Sequence, residues 1–322
     1  MYTQKNEKKK SCLTCLLFLV LFLLVLAVAG GISLNLIREG QPGFLANLID
    51  NNSNQAEPAD QTAGWLPVPE HVKTIVLLGS DFRPESGFRT DVILLVAYNL
   101  QTGQANMLSF PRDLWVTIPG WQYERINTAV QAGGFDLLGD TMQVNFGFRP
   151  DHYAMVDFNG FKKIINLLGG IDVHARQPME DQCEFNSERW CYIEEGVQYM
   201  DADKALWYVR ARYNSSDFDR TRRAQEVVSA IFKKAISPSS ILNMPLLIGT
   251  VSTLVESDSN LVDLWYFLVP FIKFTQEDNF NSFTLTPNEA MPWMTDGGAS
   301  VLLPNHPLIE QILYQVLWIN NP

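Results

Sequence analysis

Histidine is what this chain has least of: four in 322 residues, His71, His152, His174 and His306. They neither cluster nor stand at the spacings zinc requires, which excludes a zinc centre. His152 and His174 read as ordinary core or loop residues. No G-x-S-x-G elbow occurs, so the usual framework of a serine hydrolase is missing. Neither a Walker A loop nor a G-x-G-x-x-G fingerprint is present, which removes the nucleotide-binding folds built on them. Positive charge is scarce too. From Glu39 onward 19 Lys and Arg face 34 Asp and Glu. Such an acidic chain is repelled by a polyphosphate backbone, and no nucleic acid is expected among its partners.

Cysteine is equally sparse, with four residues in two pairs. Cys12 and Cys15 show C-x-x-C spacing, but no other metal ligand stands near them, and they read as apolar filler. Cys183 and Cys191 are eight residues apart in the part expected outside the cytoplasm. Disulfides persist there, so these two are read as a bridge closing a small loop or hairpin.

One long apolar run stands near the start of the chain. Lys5, Lys8, Lys9 and Lys10 precede Leu13–Leu36, and no charge follows until Arg38. A helix of roughly 20 residues spans a bilayer, and lysines on one flank set its direction. The organisation expected is a cytoplasmic tail at 1–12, a transmembrane anchor at 13–37 and an extracytoplasmic linker at 38–70. The rest, 71–320, forms a folded domain on the outer side of a single-pass cell-membrane protein. Ala27-Val28-Ala29 leaves a cleaved signal peptide as the alternative. No cysteine follows the Ala-Gly of this segment, which argues against a lipoprotein anchor.

The folded part opens with apolar runs. Lys73–Leu78, stopping at Gly79, and Asp91–Tyr98 are apolar on both faces, as central strands covered on both sides are. Gln101-Thr-Gly103 marks a turn before a third strand, Gln104–Phe110. Such tight connections predict a mixed rather than a parallel sheet. Helical spacing appears at Asn127–Ala132, Leu137–Phe146, Phe158–Leu168, Arg220–Ile236, 240–256, 261–274 and 307–318, with further strands at Ile171–Val173 and Ser282–Thr286. The fold class expected is one α/β domain with a central mixed β-sheet flanked by helices.

Arginine is concentrated where the chain is otherwise acidic. Arg210, Arg212, Arg220, Arg222 and Arg223 fall within fourteen residues. Guanidinium grips phosphate in a planar, two-pronged way, and so many cations together need an anion to balance them. That anion is either a ligand or the neighbouring carboxylates Asp217 and Asp219. Asn214–Asp217 supplies a helix N-cap, and Arg222 reads as a surface residue. Other Asp–Arg groups stand at strand ends: Asp81 with Arg83, Arg89 with Asp91, and Arg112 with Asp113. Strand ends in α/β sheets are where ligand sites form. Two carboxylates there can hold Mg²⁺, and the same pairs also read as salt bridges at a sheet edge.

Gly79-Ser-Asp81-Phe-Arg83, Arg89-Thr-Asp91, Ser109-Phe-Pro-Arg112-Asp113, Arg125-Ile-Asn127, Leu168-Gly-Gly-Ile-Asp172 and Ala205-Leu-Trp-Tyr-Val-Arg210-Ala-Arg212 come in the order and rough spacing of one family. In these segments, and in Asp217–Arg223, the chain resembles the LytR-CpsA-Psr family. The resemblance implies a membrane-anchored phosphotransferase of cell-wall assembly. It would move a glycan from a polyprenyl-pyrophosphate carrier to a hydroxyl of a peptidoglycan acceptor, with the lipid in an apolar pocket. Carried over by position, Asp81 and Asp91 would hold the Mg²⁺ cofactor. Asp81, Asp91 and Arg112 would be catalytic, while Arg83, Arg89, Arg210, Arg212, Arg220 and Arg223 would bind phosphate. The family usually reads Arg-Gln-Gln where this chain has Arg223-Ala224-Gln225, so one polar contact is missing. The alternative is a non-catalytic envelope protein that binds polyprenyl-phosphate lipid or tethers glycan. A transcription attenuator is disfavoured, because residues 1–12 are too short to fold as a DNA-binding domain.

Overall fold

The computed structural model describes residues 65–83, 87–121, 123–213, 215–235, 237, 240, 244–258 and 280–319. The expected tail and membrane span, the C-x-x-C pair, nearly all of the linker and the 261–274 segment lie outside them. Among the described residues no helix is long and apolar enough to cross a membrane.

The chain begins with three antiparallel strands, β1 (Val72–Arg83), β2 (Gly87–Asn99) and β3 (Ala105–Phe110). A small ribbon, β4 (Trp115–Thr117) and β5 (Tyr123–Arg125), leads into helix α1 (Asn127–Phe146). Then come β6 (His152–Asp157), α2 (Phe158–Leu167), β7 (Ile171–Ala175), the β8 (Met179–Gln182) and β9 (Trp190–Ile193) hairpin, and β10 (Gly196–Met200). Helices α3 (Ala202–Arg210), α4 (Asp217–Ala235) and α5 (Met244–Leu254) follow, with β11 (Val255–Ser257) after them. The last elements are β12 (Phe280–Thr284), β13 (Ala290–Met294), β14 (Ser300–Pro304) and α6 (His306–Val316).

Six strands form the main sheet in the order β11-β6-β1-β2-β3-β12. β6 lies parallel to β1 and β12 parallel to β3, while the other pairs are antiparallel. The sheet is mixed, as the tight early turns predict. Because β1, β3, β6 and β12 run the same way, their C-terminal ends meet along one edge.

The doubly apolar β2 has its cause in the packing. Ile93, Leu95 and Ala97 face a core with Ile126, Ala129, Leu138 and Met142 around α1 and Ile309 and Leu313 of α6. Leu94 and Val96, with Met107, face the other way, against Val228 of α4. Leu94 and Leu95 are fully buried, and either truncated to alanine loses about 2–5 kcal/mol. A third cluster joins α2, β7, α3 and α4 through Ile165, Val173, Ala205, Tyr208 and Val227.

Several boundaries differ from the sequence reading. β1 does not stop at Gly79: its register with β2 shifts between Gly79 and Ser80, and pairing resumes with Asp81 opposite Arg89. Such a bulge re-aims the strand without ending it. The two expected segments 127–132 and 137–146 are one helix, kinked at Gly133 and at Gly134, which has φ +66°. The 240–256 segment ends as the edge strand β11, antiparallel to β6. The cap of α4 is Ser216. Its hydroxyl accepts the Asp219 N–H at 3.1 Å, and Asp219 Oδ2 accepts the Ser216 N–H at 2.9 Å.

Candidate active site

The expected carboxylates and most of the arginines collect at the C-terminal edge of the sheet. Asp81 leaves the bulge of β1, Asp91 starts the buried part of β2, and Arg112 follows β3, where Pro111 breaks the ladder. Arg89 bridges the two carboxylates, its Nε 3.0 Å from Asp91 Oδ1 and its Nη2 3.8 Å from Asp81 Oδ2. Arg112 Nη1 donates to the same Asp91 oxygen at 2.5 Å. On its other side Arg112 Nε donates to Asp113 Oδ2 at 3.2 Å. Arg125 Nε stands 3.1 Å from Asp113 Oδ1, as an ion pair too poorly aligned for a hydrogen bond. Its Nη2 donates to the Ser300 carbonyl at 3.0 Å.

Arg220 reaches this edge from α4 and pairs with Asp217. Its guanidinium is pushed down to about 10, first by burial and then by the nearby cations Arg112 and Arg212, with Asp91 and Asp113 opposing. It therefore stays charged at neutral pH in a place that disfavours charge. Burial also works against the Arg112 charge. Its hydrogen bond and attraction to Asp91, then Asp113, outweigh that and raise it above the ordinary value. Arg89 and Arg112 thus meet at Asp91, and the charges of Arg220 and the exposed Arg212 lie near them. Beside them is a cleft of ≈ 570 Å³ whose lining includes Arg89, Arg112, Arg125, Asn127, Asp217 and Phe218. A second hollow of ≈ 440 Å³, under Trp65 and beside His306, contains none of these groups.

Three expected phosphate ligands stand differently. The backbone of Arg83 closes β1 opposite Gly87, but its side chain lies outside the described residues. Arg210 is exposed, with its guanidinium over the Phe158 ring at 4.7 Å. Phe158 follows Asp157, which pairs with Ser80, so Arg210 sits at the same sheet edge on its β6 side. Among the described ion pairs none joins it to Asp81 or Asp91.

Arg223 corrects the sequence reading. It is 2% exposed and donates through Nη2 to the Ala211 carbonyl at 2.6 Å and to Ser215 Oγ at 3.0 Å. Residues three apart on a helix are neighbours, but here Arg220 pairs with Asp217 of the cleft lining and Arg223 faces inward. It braces the loop that carries Arg212 and does not line the cleft.

Arg222, expected at the surface, is 16% exposed. Its Nη1 is 2.7 Å from Glu226 Oε1, and Glu226 Oε2 accepts the Tyr208 hydroxyl at 2.6 Å. The sequence reading also missed Gln225. It is buried and donates through Nε2 to Ser109 Oγ at 2.8 Å and to the Phe283 carbonyl at 2.6 Å, fixing α4 to β3 and β12. Its signals were a polar residue inside the apolar face of α4 and the family's Arg-Gln-Gln pattern, whose second glutamine it keeps. Ala224, one turn after Arg220, is buried and offers no polar group.

This arrangement defines an α/β domain whose sheet edge presents a partly buried guanidinium–carboxylate cleft, suited to an anion carrying several phosphate oxygens. The chain belongs to the LytR_cpsA_psr family, which it matches over residues 47–316. It is 30% identical over 283 residues to the polyisoprenyl-teichoic acid–peptidoglycan teichoic acid transferase TagT of Bacillus subtilis (strain 168), across 83% of this chain and 87% of TagT. It is 35% identical over 179 residues to the probable cell wall biosynthesis protein LcpB of Corynebacterium glutamicum, across 54% of this chain and 42% of LcpB. The match thus spans less than half the length of LcpB. A solved structure of TagT bound to LIIa-WTA superposes with a TM-score of 0.61 at 25% identity, covering 82% of this chain and 98% of that one.

Proposed function

We propose that this protein is an extracytoplasmic phosphotransferase. It moves a glycopolymer from a polyprenyl-pyrophosphate carrier to a peptidoglycan hydroxyl during cell wall assembly. The observation that carries this reading is the cleft that Arg89, Arg112 and Arg125 line around Asp91 and Asp113, with Arg220, paired to the lining residue Asp217, crowded by Arg112 and Arg212 beside it. Such a concentration of cations calls for an anion, and family membership and the likeness to TagT give the anion its class.

The chemistry follows from the placement. The acceptor oxygen attacks the phosphorus that carries the glycan, and the bridging P–O bond to the carrier breaks. Polyprenyl phosphate leaves with the bonding electron pair, and one of Asp81 and Asp91 takes the acceptor proton. Guanidiniums fixed before the reaction stabilise charge on the equatorial oxygens without reorganising, which is the main catalytic means in phosphoryl transfer. On the same sheet face Ile75, Leu77 and Val92 are only partly buried, and such an apolar surface suits contact with a lipid chain.

Asp81 and Asp91 also suit Mg²⁺. Both are hard oxygen donors of the kind Mg²⁺ takes, and Arg89 now bridges them, so they would have to release that guanidinium to hold the ion. When bound, Mg²⁺ would neutralise phosphate charge there. By this reading the N-terminal span holds the domain on the outer face of the cell membrane.

The test is transfer by the full-length chain in detergent with Mg²⁺, a polyprenyl-pyrophosphate-linked saccharide and peptidoglycan fragments. Polyprenyl phosphate should be released as glycan appears on the acceptor. A wild-type protein that retains the lipid without turnover would refute the transferase in favour of a binding protein.

A further inference from the structure

The hairpin of β8 and β9 is the part of the domain that this chemistry leaves unused. Cys183 and Cys191 are joined across it, with Cα atoms 5.8 Å apart. A two-stranded ribbon this short is marginal in water without such a link. In the ladder Asp181 stands opposite Cys191 and Gln182 opposite Trp190.

Residues 211–213 follow the end of α3 and carry Arg212 with no helix or strand of their own. Their backbone N–H groups need partners from elsewhere. Asp181 supplies them: one oxygen, Oδ2, accepts the Arg212 N–H at 2.5 Å and the Tyr213 N–H at 3.1 Å. The hairpin is tied to the same region at three further points. Trp207 Nε1 donates to the Gln182 carbonyl at 2.8 Å. Trp190 stands edge-on to Tyr213 at 5.0 Å, and Phe185 edge-on to Trp207 at 5.9 Å. From α4, Arg223 holds Ala211 and Ser215. The loop is therefore gripped on two sides, and the grip from the hairpin falls on the backbone of Arg212 itself. The Asp181 carboxyl lies below its ordinary value: burial opposes this, but the three backbone N–H groups of Arg212, Tyr213 and Gln182 outweigh it.

We propose that the disulfide-closed hairpin Met179–Ile193 is a positioning device for Arg212, and that Asp181 is its positioning residue. The proposal rests on the reading of the cleft as a pyrophosphate site. Asp181 touches no reacting atom. It holds the backbone of Arg212, whose charge acts on Arg220 at the cleft, and a displacement of an ångström is enough to spoil a phosphate contact.

The test uses the full-length chain in detergent with Asp181→Ala, Asp181→Asn, Arg212→Ala and the double variant Asp181→Ala/Arg212→Ala. Hydrogen exchange is read at the amides of Arg212 and Tyr213, and calorimetry reads the binding of inorganic pyrophosphate. Asp181→Ala should speed exchange at those two amides at least ten-fold while the centre of α4 stays protected. It should weaken pyrophosphate at least ten-fold. Asp181→Asn keeps an accepting oxygen and should recover most of both. The double variant should bind no more weakly than Arg212→Ala alone, because the two act as one unit. Cys183→Ser/Cys191→Ser should reproduce a weaker form of the Asp181→Ala behaviour. Wild-type exchange and binding in Asp181→Ala, or additive losses in the double variant, overturn the proposal. Wild-type binding in Arg212→Ala overturns the reading of the cleft and, with it, the reason for positioning that residue.

Discussion

Two arginines three residues apart carry opposite expectations. Arg220 is held charged against burial and against Arg112 and Arg212, with Asp217 as its ion-pair partner, so its removal should cost the fold little. Arg220→Gln should leave the midpoint of thermal unfolding nearly unchanged, while transfer falls about 10²-fold or more. Arg223→Ala should do the reverse in stability. It orphans the Ala211 carbonyl and opens a cavity, at about 2–4 kcal/mol by urea unfolding, and Arg223→Lys should not restore it. Thermal melts and turnover measured on the same preparations separate the two roles. A tripeptide Arg-Thr-Arg preceding Arg223 does not reveal this division, because helical spacing places residues 220 and 223 on neighbouring positions and says nothing of which neighbour meets the loop. Asp81, Asp91 and Arg112 were legible because each follows or opens an apolar strand. Asp181 was not, since its partners are backbone N–H groups thirty residues away in sequence.

Among the elements, α4 connects stability to the site. Its N-terminus is closed by Ser216 and Asp219, and its middle is fixed to the sheet by Gln225. Asp219 lies below its ordinary 3.8: burial opposes this, but hydrogen bonds from Ser216 and then the charges of Arg222 and Arg223 outweigh it. A carboxylate lowered in the folded state contributes stability that is present above about pH 4 and is lost as pH falls through its folded value. Urea midpoints measured from pH 6 to pH 2 should therefore fall less steeply in Asp219→Asn than in wild type. Gln225→Leu should cost about 1–3 kcal/mol, because Ser109 and the Phe283 carbonyl lose a donor in a buried place. The alternation and spacing of apolar residues foretold β2, β3, α2, α4 and α6 to within a few residues. They failed where geometry is not periodic. The bulge at Gly79 hid the continuation of β1, and an edge strand of three residues at β11 is too short to show a pattern.

At the scale of the whole molecule, a strongly acidic chain concentrates its arginines on one sheet edge, where an anionic substrate needs them. On the proposed reading, the apolar run at 13–37 and the lysines before it would hold that edge outside the cytoplasm. In intact cells an added protease should digest the domain, and Cys12 and Cys15 should react with a thiol reagent only after the membrane is opened. Chelation of Mg²⁺ should stop transfer and added Mg²⁺ restore it, without change in the far-ultraviolet spectrum. The central claim is that Asp91 and the arginines around it catalyse transfer of a phosphate-linked glycan. The most direct test compares wild type, Asp91→Ala and Arg212→Ala in the transfer reaction, following polyprenyl phosphate release and glycan on the acceptor together. The account predicts coupled release and transfer in wild type and a loss of both in each variant, with folding intact. Transfer that persists in Asp91→Ala at the wild-type rate would contradict it.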